Sequence, residues 1–168
     1  LVLAITQGMD AVFIDNALTF THPGEIRLGA APHTEAGVVE DIAGLLERAG
    51  ISHVVEKDIR RRMWTKLMMN VGINQTCMVY GGTYGAALSD GEQNRCLVAA
   101  MREAKAVANA EGIALTEDDL NEMISIIANL DPNGMPSMAQ DRINRKRTEV
   151  ALFAGTIIER AEHHGLLV

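Results

Sequence analysis

The 168 residues predict a mainly α-helical protein, with the closing part of an α/β domain ahead of a helical domain. Up to residue 56 the apolar residues fall into short strand-type runs around a single helical stretch. From Asp58 onward every strong periodicity is helical. Composition agrees with a packed chain: 48% of residues are apolar and 22% charged. Aromatics make up 4% while there are 9 methionines, so the core is expected to be aliphatic.

Leu1 to Thr6 is a short apolar run that reads as a strand. Ala17 to Thr21 and Ile26 to Gly29 are strand-type segments on either side of His22-Pro23-Gly24-Glu25, which predicts a hairpin turn. Val38, Val39, Ile42, Leu45 and Leu46 recur at helical spacing, and Gly50 supplies a stop. Ile51 to Val55 is the next strand. Asp58 is placed to cap a helix bearing Ile59, Met63, Trp64, Leu67, Met68 and Val71, which ends near Gly81. Ser89 with Glu92 has the spacing of a capping box before Cys96, Leu97, Ala100, Ala104 and Val107, with Gly112 after them. Thr116 opens a helix with Leu120, Met123, Ile124, Ile127 and Leu130 on one stripe. Asp131 to Pro136 is a loop by its Pro and Gly content, and Ser137 with Gln140 predicts a further capping box. That last helix is expected to run to His164 before Gly165. Residues 1–56 and 57–168 are therefore read as two domains.

Fifteen Lys and Arg against 22 Asp and Glu give a formal charge of -7, which argues against a nucleic-acid binder working by bulk charge. Two cysteines are too few for a disulfide framework and predict a reduced, cytoplasmic protein. No secretory pattern opens the sequence. Leu67 to Ser89 carries no formal charge, a length that raises the question of a membrane span. Asn70, Asn74, Gln75, Gly81, Gly82 and Gly85 interrupt it, so a soluble chain with no membrane partner is expected. No Gly-x-Gly-x-x-Gly run, P-loop, nucleophile elbow or metal-ligand spacing occurs. His163 and His164, adjacent on a helix, diverge and read as a solvated last turn.

Chemistry concentrates in two places. Lys66, Asn70 and Asn74 stand at i, i+4 and i+8, one row of a helix whose neighbours are apolar. A lysine beside two carboxamides suits a small oxygen-rich anion, since Asn offers both donor and acceptor. Partial desolvation would lower the lysine pKa and make it a proton donor. The same spacing also suits a snorkelling lysine and asparagines that bond neighbouring helices. Glu149 lies between the basic cluster Arg142, Arg145, Lys146, Arg147 and the uncharged run Val150 to Ile158. A carboxylate there is either buried and in need of a partner such as Lys66, or a surface mate of Arg145 four residues back. The basic cluster reads as a solvated face. Ser137 reads as a helix cap that remains able to touch a ligand, because helix N-termini attract carboxylates.

Two spaced segments carry a family resemblance. Asp58-Ile59-Arg60, Trp64-Thr65-Lys66-Leu67 and Asn70-Val71-Gly72-Ile73-Asn74 resemble the signature helix of the ketopantoate reductase family. Ser137-Met138-Ala139-Gln140-Asp141, Arg147-Thr148-Glu149, Gly155 and His164-Gly165 resemble its second motif. Arg102-Glu103-Ala104 with Ala110-Glu111-Gly112 is similar to its middle helix. The resemblance implies an N-terminal Rossmann domain that binds NADPH and a helical dehydrogenase-type C-terminal domain that holds a 2-keto acid. Residues 1–56 would then be the last part of a truncated Rossmann-like domain, and 57–168 the substrate-binding and catalytic domain. The reaction implied is reduction of 2-dehydropantoate to (R)-pantoate in pantothenate and coenzyme A biosynthesis. By the same resemblance Lys66 is the catalytic proton donor, Asn70, Asn74 and Ser137 bind substrate, and Glu149 lies near the cofactor. Tyr84 stands near a further family asparagine, a departure that opens the alternative of another 2-keto acid. A non-catalytic helical interaction module is the rival from a different class. Exposed Met-rich helix faces would favour a homo-oligomer.

Overall fold

The computed structural model describes residues 1–9, 12–14, 16–20 and 22–168. Two units divide the chain, Leu1–Met63 and Trp64–Val168.

In chain order the first unit carries β1 (Val2–Met9), β2 (Val12–Ile14), β3 (Ala17–Thr19), β4 (Pro23–Ala30), α1 (Val38–Arg48) and β5 (His53–Val55). β4 is the middle strand of a three-stranded sheet, antiparallel to β1 and parallel to β5. Two parallel neighbours joined through α1 form a βαβ crossover, so the α/β expectation holds. Along β1, Leu3, Ile5 and Gln7 are half-buried while Ala4 and Thr6 are exposed, the period-two pattern of a sheet with one covered face. Leu28 of β4 is buried, and beside it Gly29 has no room for a side chain. A Cβ there would stand 2.7 Å from the Ile59 Cβ and 2.8 Å from the Glu56 carbonyl. Arg27 bridges Glu25 at 2.7 Å and Glu56 at 2.5 Å, and Arg62 joins Glu56 at 3.0 Å.

The helix α2 (Ile59–Tyr80) is followed by α3 (Tyr84–Leu88), α4 (Glu92–Ala110), α5 (Glu117–Ala128), α6 (Ser137–Ile143) and α7 (Val150–His163). Asp58 accepts the Arg61 N–H at 2.9 Å and opens α2 as expected. From Val71 to Asn74 four consecutive residues of α2 are buried, which marks a helix enclosed around most of its circumference. Met68, Val71 and Cys77 of α2 meet Leu97, Met101 and Val107 of α4, Leu120 and Ile127 of α5, and Phe153 and Ile157 of α7 in one core. Gly72 lets α4 approach closely: a Cβ there would lie 2.5 Å from Met101 Cγ. Thr116 caps α5 through a complete capping box with Asp119.

Four local expectations are corrected. The segment His22–Glu25 is no hairpin turn, because β3 pairs with β2 and β4 begins at Pro23 to pair with β1. Thr21, the last residue assigned to the preceding strand, lies outside the described residues. Ser89 does not open α4. It closes the unforeseen short helix α3, donating its hydroxyl to the Gly85 carbonyl at 2.8 Å, while Gly91 is the N-cap of α4. Ser137 is not the cap of α6 either, for Pro136 holds that position and Gln140 donates to the Met135 carbonyl. Finally, residues 137–164 form two helices. Arg145 adopts φ 54°, its N–H donates to the Arg142 carbonyl and the Lys146 N–H donates to the Asp141 carbonyl. That pattern is a left-handed helix stop, here built on arginine where glycine is usual.

Candidate functional site

Helix α2 presents Lys66, Asn70 and Asn74 on successive turns. Each four-residue step turns the row by about 40°, so the three groups occupy one face over about 12 Å of helix. Burial deepens along the row: Lys66 and Asn70 are half-buried and Asn74 is 7% exposed. Burial holds the Lys66 amine below the ordinary lysine value. Removing water from an ammonium favours the neutral form, so this lysine releases its proton more readily than a surface one.

Asn74 and Ser137 meet although 63 positions separate them in sequence. The Ser137 hydroxyl donates to Asn74 Oδ1 at 3.3 Å, and the Met138 N–H donates to the same oxygen at 3.5 Å. A backbone N–H can only donate, which fixes the amide with its oxygen towards α6. Proline at the N-cap has no side-chain acceptor for the first N–H groups of α6. Asn74 supplies that acceptor from another helix, and in doing so sets the Ser137 hydroxyl beside the row on α2. The reading of an asparagine that bonds a neighbouring helix is thus realised at Asn74.

Glu149 is exposed at the N-cap of α7, and its side chain makes no capping hydrogen bond. Neither sequence reading of this carboxylate holds as stated. It is not buried, and the stop at Arg145 removes the continuous helix on which an i, i+4 pair with Arg145 depends.

Tyr84 is half-buried, with burial first and the neighbouring Cys77 second in raising its phenol above the ordinary value. Its N–H donates to the Gly134 carbonyl at 3.0 Å, and the Gly85 N–H to the Pro132 carbonyl at 2.9 Å. A Cβ on Gly134 would come within 3.2 Å of the Tyr84 ring, so the ring lies directly on the loop that leads into Ser137. Sequence reasoning saw Tyr84 only as a departure and Arg142 only as a solvated cation. In the structure Arg142 donates to the carbonyls of Met78 and Val79, and no local signal could have paired residues so far apart.

Among the described residues no group of three or more His, Cys, Asp and Glu could hold a metal ion, and no helix is long and apolar enough to cross a membrane. Cys77 is buried, and its burial pushes the thiol up to about 11.

The polar row, Ser137 and the helices that carry them all lie within residues 58–168, which match the family described as Ketopantoate reductase PanE/ApbA C terminal. The chain belongs to that family. The 2-dehydropantoate 2-reductase of Halobacterium salinarum is 30% identical over 156 residues, covering 88% of this chain and 51% of the relative. The chain thus spans about half the length of the curated relatives it matches. Dimeric ketopantoate reductase from Staphylococcus aureus superimposes with a TM-score of 0.84 at 21% identity, over 99% of this chain and 56% of that one. D-mandelate dehydrogenase in complex with NADH gives 0.86 at 19% identity, over 99% and 56%. At these identities the structural likeness establishes the fold, a ketopantoate reductase C-terminal domain with α/β elements before it.

Proposed function

We propose that this chain is the substrate-binding and catalytic part of an NADPH-dependent 2-dehydropantoate 2-reductase, which makes (R)-pantoate for pantothenate biosynthesis. In this reading residues 1–56 close the nucleotide-binding domain and residues 57–168 hold the substrate. The protein works in the cytoplasm and self-associates. The observation that carries the proposal is the Ser137–Asn74 hydrogen bond at the end of the Lys66 row. It brings a hydroxyl and an amide together on the helix face that also carries Lys66, the set that a 2-keto acid requires.

The cofactor fits this residue set in part. Lys66 supplies the proton that a hydride reduction of a ketone needs, and Glu149 leaves an exposed carboxylate at the start of α7. The pyrophosphate-binding glycine run is not among these 168 residues, so contacts with the phosphates fall to other parts of the enzyme. When bound, NADPH supplies the hydride to the keto carbon. Lys66 holds a proton at Nζ and gives it to the keto oxygen as negative charge develops there, and its lowered pKa eases that transfer. The Asn70 and Asn74 amide nitrogens donate to the substrate carboxylate, and the Ser137 hydroxyl, its proton given to Asn74, accepts from a substrate hydroxyl, so the carbonyl meets Lys66 in one pose. Glu149 is assigned to the cofactor side.

Tyr84 favours a second reading, a reductase of a different 2-keto acid. A phenol cannot reproduce the paired donor and acceptor of an amide, and this ring is packed on the loop that leads into Ser137. A panel of 2-keto acids offered with NADPH and NADH to the full-length enzyme decides between the two. Lys66→Ala should lower kcat by about 10²–10⁴-fold, the scale of a lost general acid. Near-normal kcat in a correctly folded Lys66→Ala enzyme would end the proton-donor assignment.

A further inference from the structure

We infer that Arg142 is a positioning residue for the proposed reaction: it clamps α6 to the end of α2 and so holds the Ser137 hydroxyl at Asn74. The inference rests on the reductase reading above for its link to activity, while the clamp itself is structural.

Helix α2 ends at Tyr80, which leaves its last carbonyls without partners inside the helix. The Cys77 carbonyl accepts the Gly82 N–H at 3.0 Å. Arg142 Nη1 takes the next two, donating to the Met78 carbonyl and, at 2.9 Å, to the Val79 carbonyl. A cation at this end also meets the negative pole of the α2 dipole. Gly81 lies beside this contact, with a Cβ there at an ordinary 3.4 Å from Nη1. At the other end of α6, Asn74 of α2 accepts from the Ser137 hydroxyl and the Met138 N–H. Each helix therefore caps the other.

The arrangement matters because α6 has only 7 residues, well short of a length that holds itself in water. Its two attachments lie five residues apart, about 7.5 Å along the helix. The Asn74 contacts, at 3.3 and 3.5 Å, are at the long end of hydrogen bonding. With Arg142 released, α6 would pivot on that weak end, and the Ser137 hydroxyl would leave the position that orients substrate. Arg142 is exposed and 63 positions from Val79 in sequence, and this contact ties it to α2.

The test uses the full-length enzyme with Arg142→Ala and Arg142→Lys. Hydrogen–deuterium exchange of residues 137–144 reads the clamp, and steady-state kinetics with the best 2-keto acid reads the site. In Arg142→Ala, exchange in 137–144 should accelerate about fivefold while α5 is unchanged, the scale of one net hydrogen bond at an exposed site. KM for the keto acid should rise about fivefold and kcat should stay within about twofold, because a contact that holds substrate equally in the ground and transition states is weakened and the proton donor is untouched. Arg142→Lys should recover most of both effects, since a single nitrogen serves both carbonyls and an ammonium can supply both donors. Circular dichroism checks folding. If Arg142→Ala loses helix globally, Arg142→Gln carries the same comparison. Unchanged exchange in 137–144 overturns the clamp, and faster exchange with unchanged KM overturns the positioning role. Absence of turnover by the unaltered enzyme would sink the proposed function and the positioning role with it, while exchange still decides the clamp.

Discussion

Gly72→Ala is the substitution on which the packing of α2 can be judged most sharply. In an unconstrained helix the change would stabilise by about 1 kcal/mol, because alanine is the better helix former. Here the added Cβ would stand 2.5 Å from Met101 Cγ, 3.1 Å from Leu97 Cδ1 and 3.2 Å from the Leu97 carbonyl oxygen. Carbon atoms pack at about 3.5–4.0 Å, so relief demands a shift of about 1 Å. Met101 Cγ is mid-chain, the carbonyl belongs to the α4 backbone, and Leu97 and Met101 are fully buried, so α4 itself must move. Overpacking of this kind costs about 1–3 kcal/mol, and the upper part of that range applies where a backbone must yield. The net expectation is a loss of about 1–2 kcal/mol, or several degrees in Tm for a unit of this size. Urea unfolding followed by the fluorescence of Trp64, the single tryptophan, reports on the second unit directly. In a Met101→Ala background the same substitution should be distinctly less harmful, because the closest clash is gone. A Gly72→Ala protein as stable as the parent, or an equal loss in both backgrounds, would refute the account of α2 and α4 as helices in contact at this glycine.

Three further outcomes are expected. Thr116→Ala should lower stability by about 1 kcal/mol in the same urea assay while Thr116→Ser keeps it, because the hydroxyl accepts the Asp119 N–H and donates to its carboxylate. Alkylation of the native protein at neutral pH should modify Cys96 alone by mass spectrometry, since Cys77 is buried with its thiol pushed up to about 11; rapid labelling of Cys77 would contradict the packing around α2. If Lys66 is the proton donor, kcat/KM of the full-length enzyme should fall as pH rises through the free-enzyme Lys66 pKa, with the midpoint below 10.5, because the charged form is the acid and burial lowers its pKa. The linkage sign for stability is opposite: between the folded value and 10.5 the unfolded chain binds the proton more, so stability gains with rising pH.

Much of the fold was legible because its signals are local. Gly50, Gly81, Gly112 and Gly165 follow helix ends and all have positive φ, a backbone state that glycine reaches without penalty. Thr116 and Asp58 sit beside the N–H groups they accept. The errors arose where a local pattern had a distant competitor. Ser89 matched a capping spacing but lies at the end of α3, and Ser137 matched one although Pro136 precedes it and Asn74 provides the acceptor. The break at Arg145 carried no glycine to announce it. In the site, the row on α2 was readable from spacing and its lysine from the apolar surroundings, whereas the approach of Ser137 to Asn74 depends on packing across many residues. For Glu149 the sequence left burial and surface exposure both open, and the start of α7 leaves it in solvent.

In the proposed site the orientation of the Asn74 amide would also act as a filter on polarity. Its oxygen serves two donors of α6, so it has little left to offer a visitor. Whatever approaches the nitrogen must bring lone pairs: a carboxylate or carbonyl oxygen is welcomed, an ammonium group is turned away, and a hydroxyl is admitted only in its accepting role. An amide in solution is indifferent to the sign of its partner. Helix α6 removes that indifference, and a side chain without charge becomes selective for electron-rich atoms.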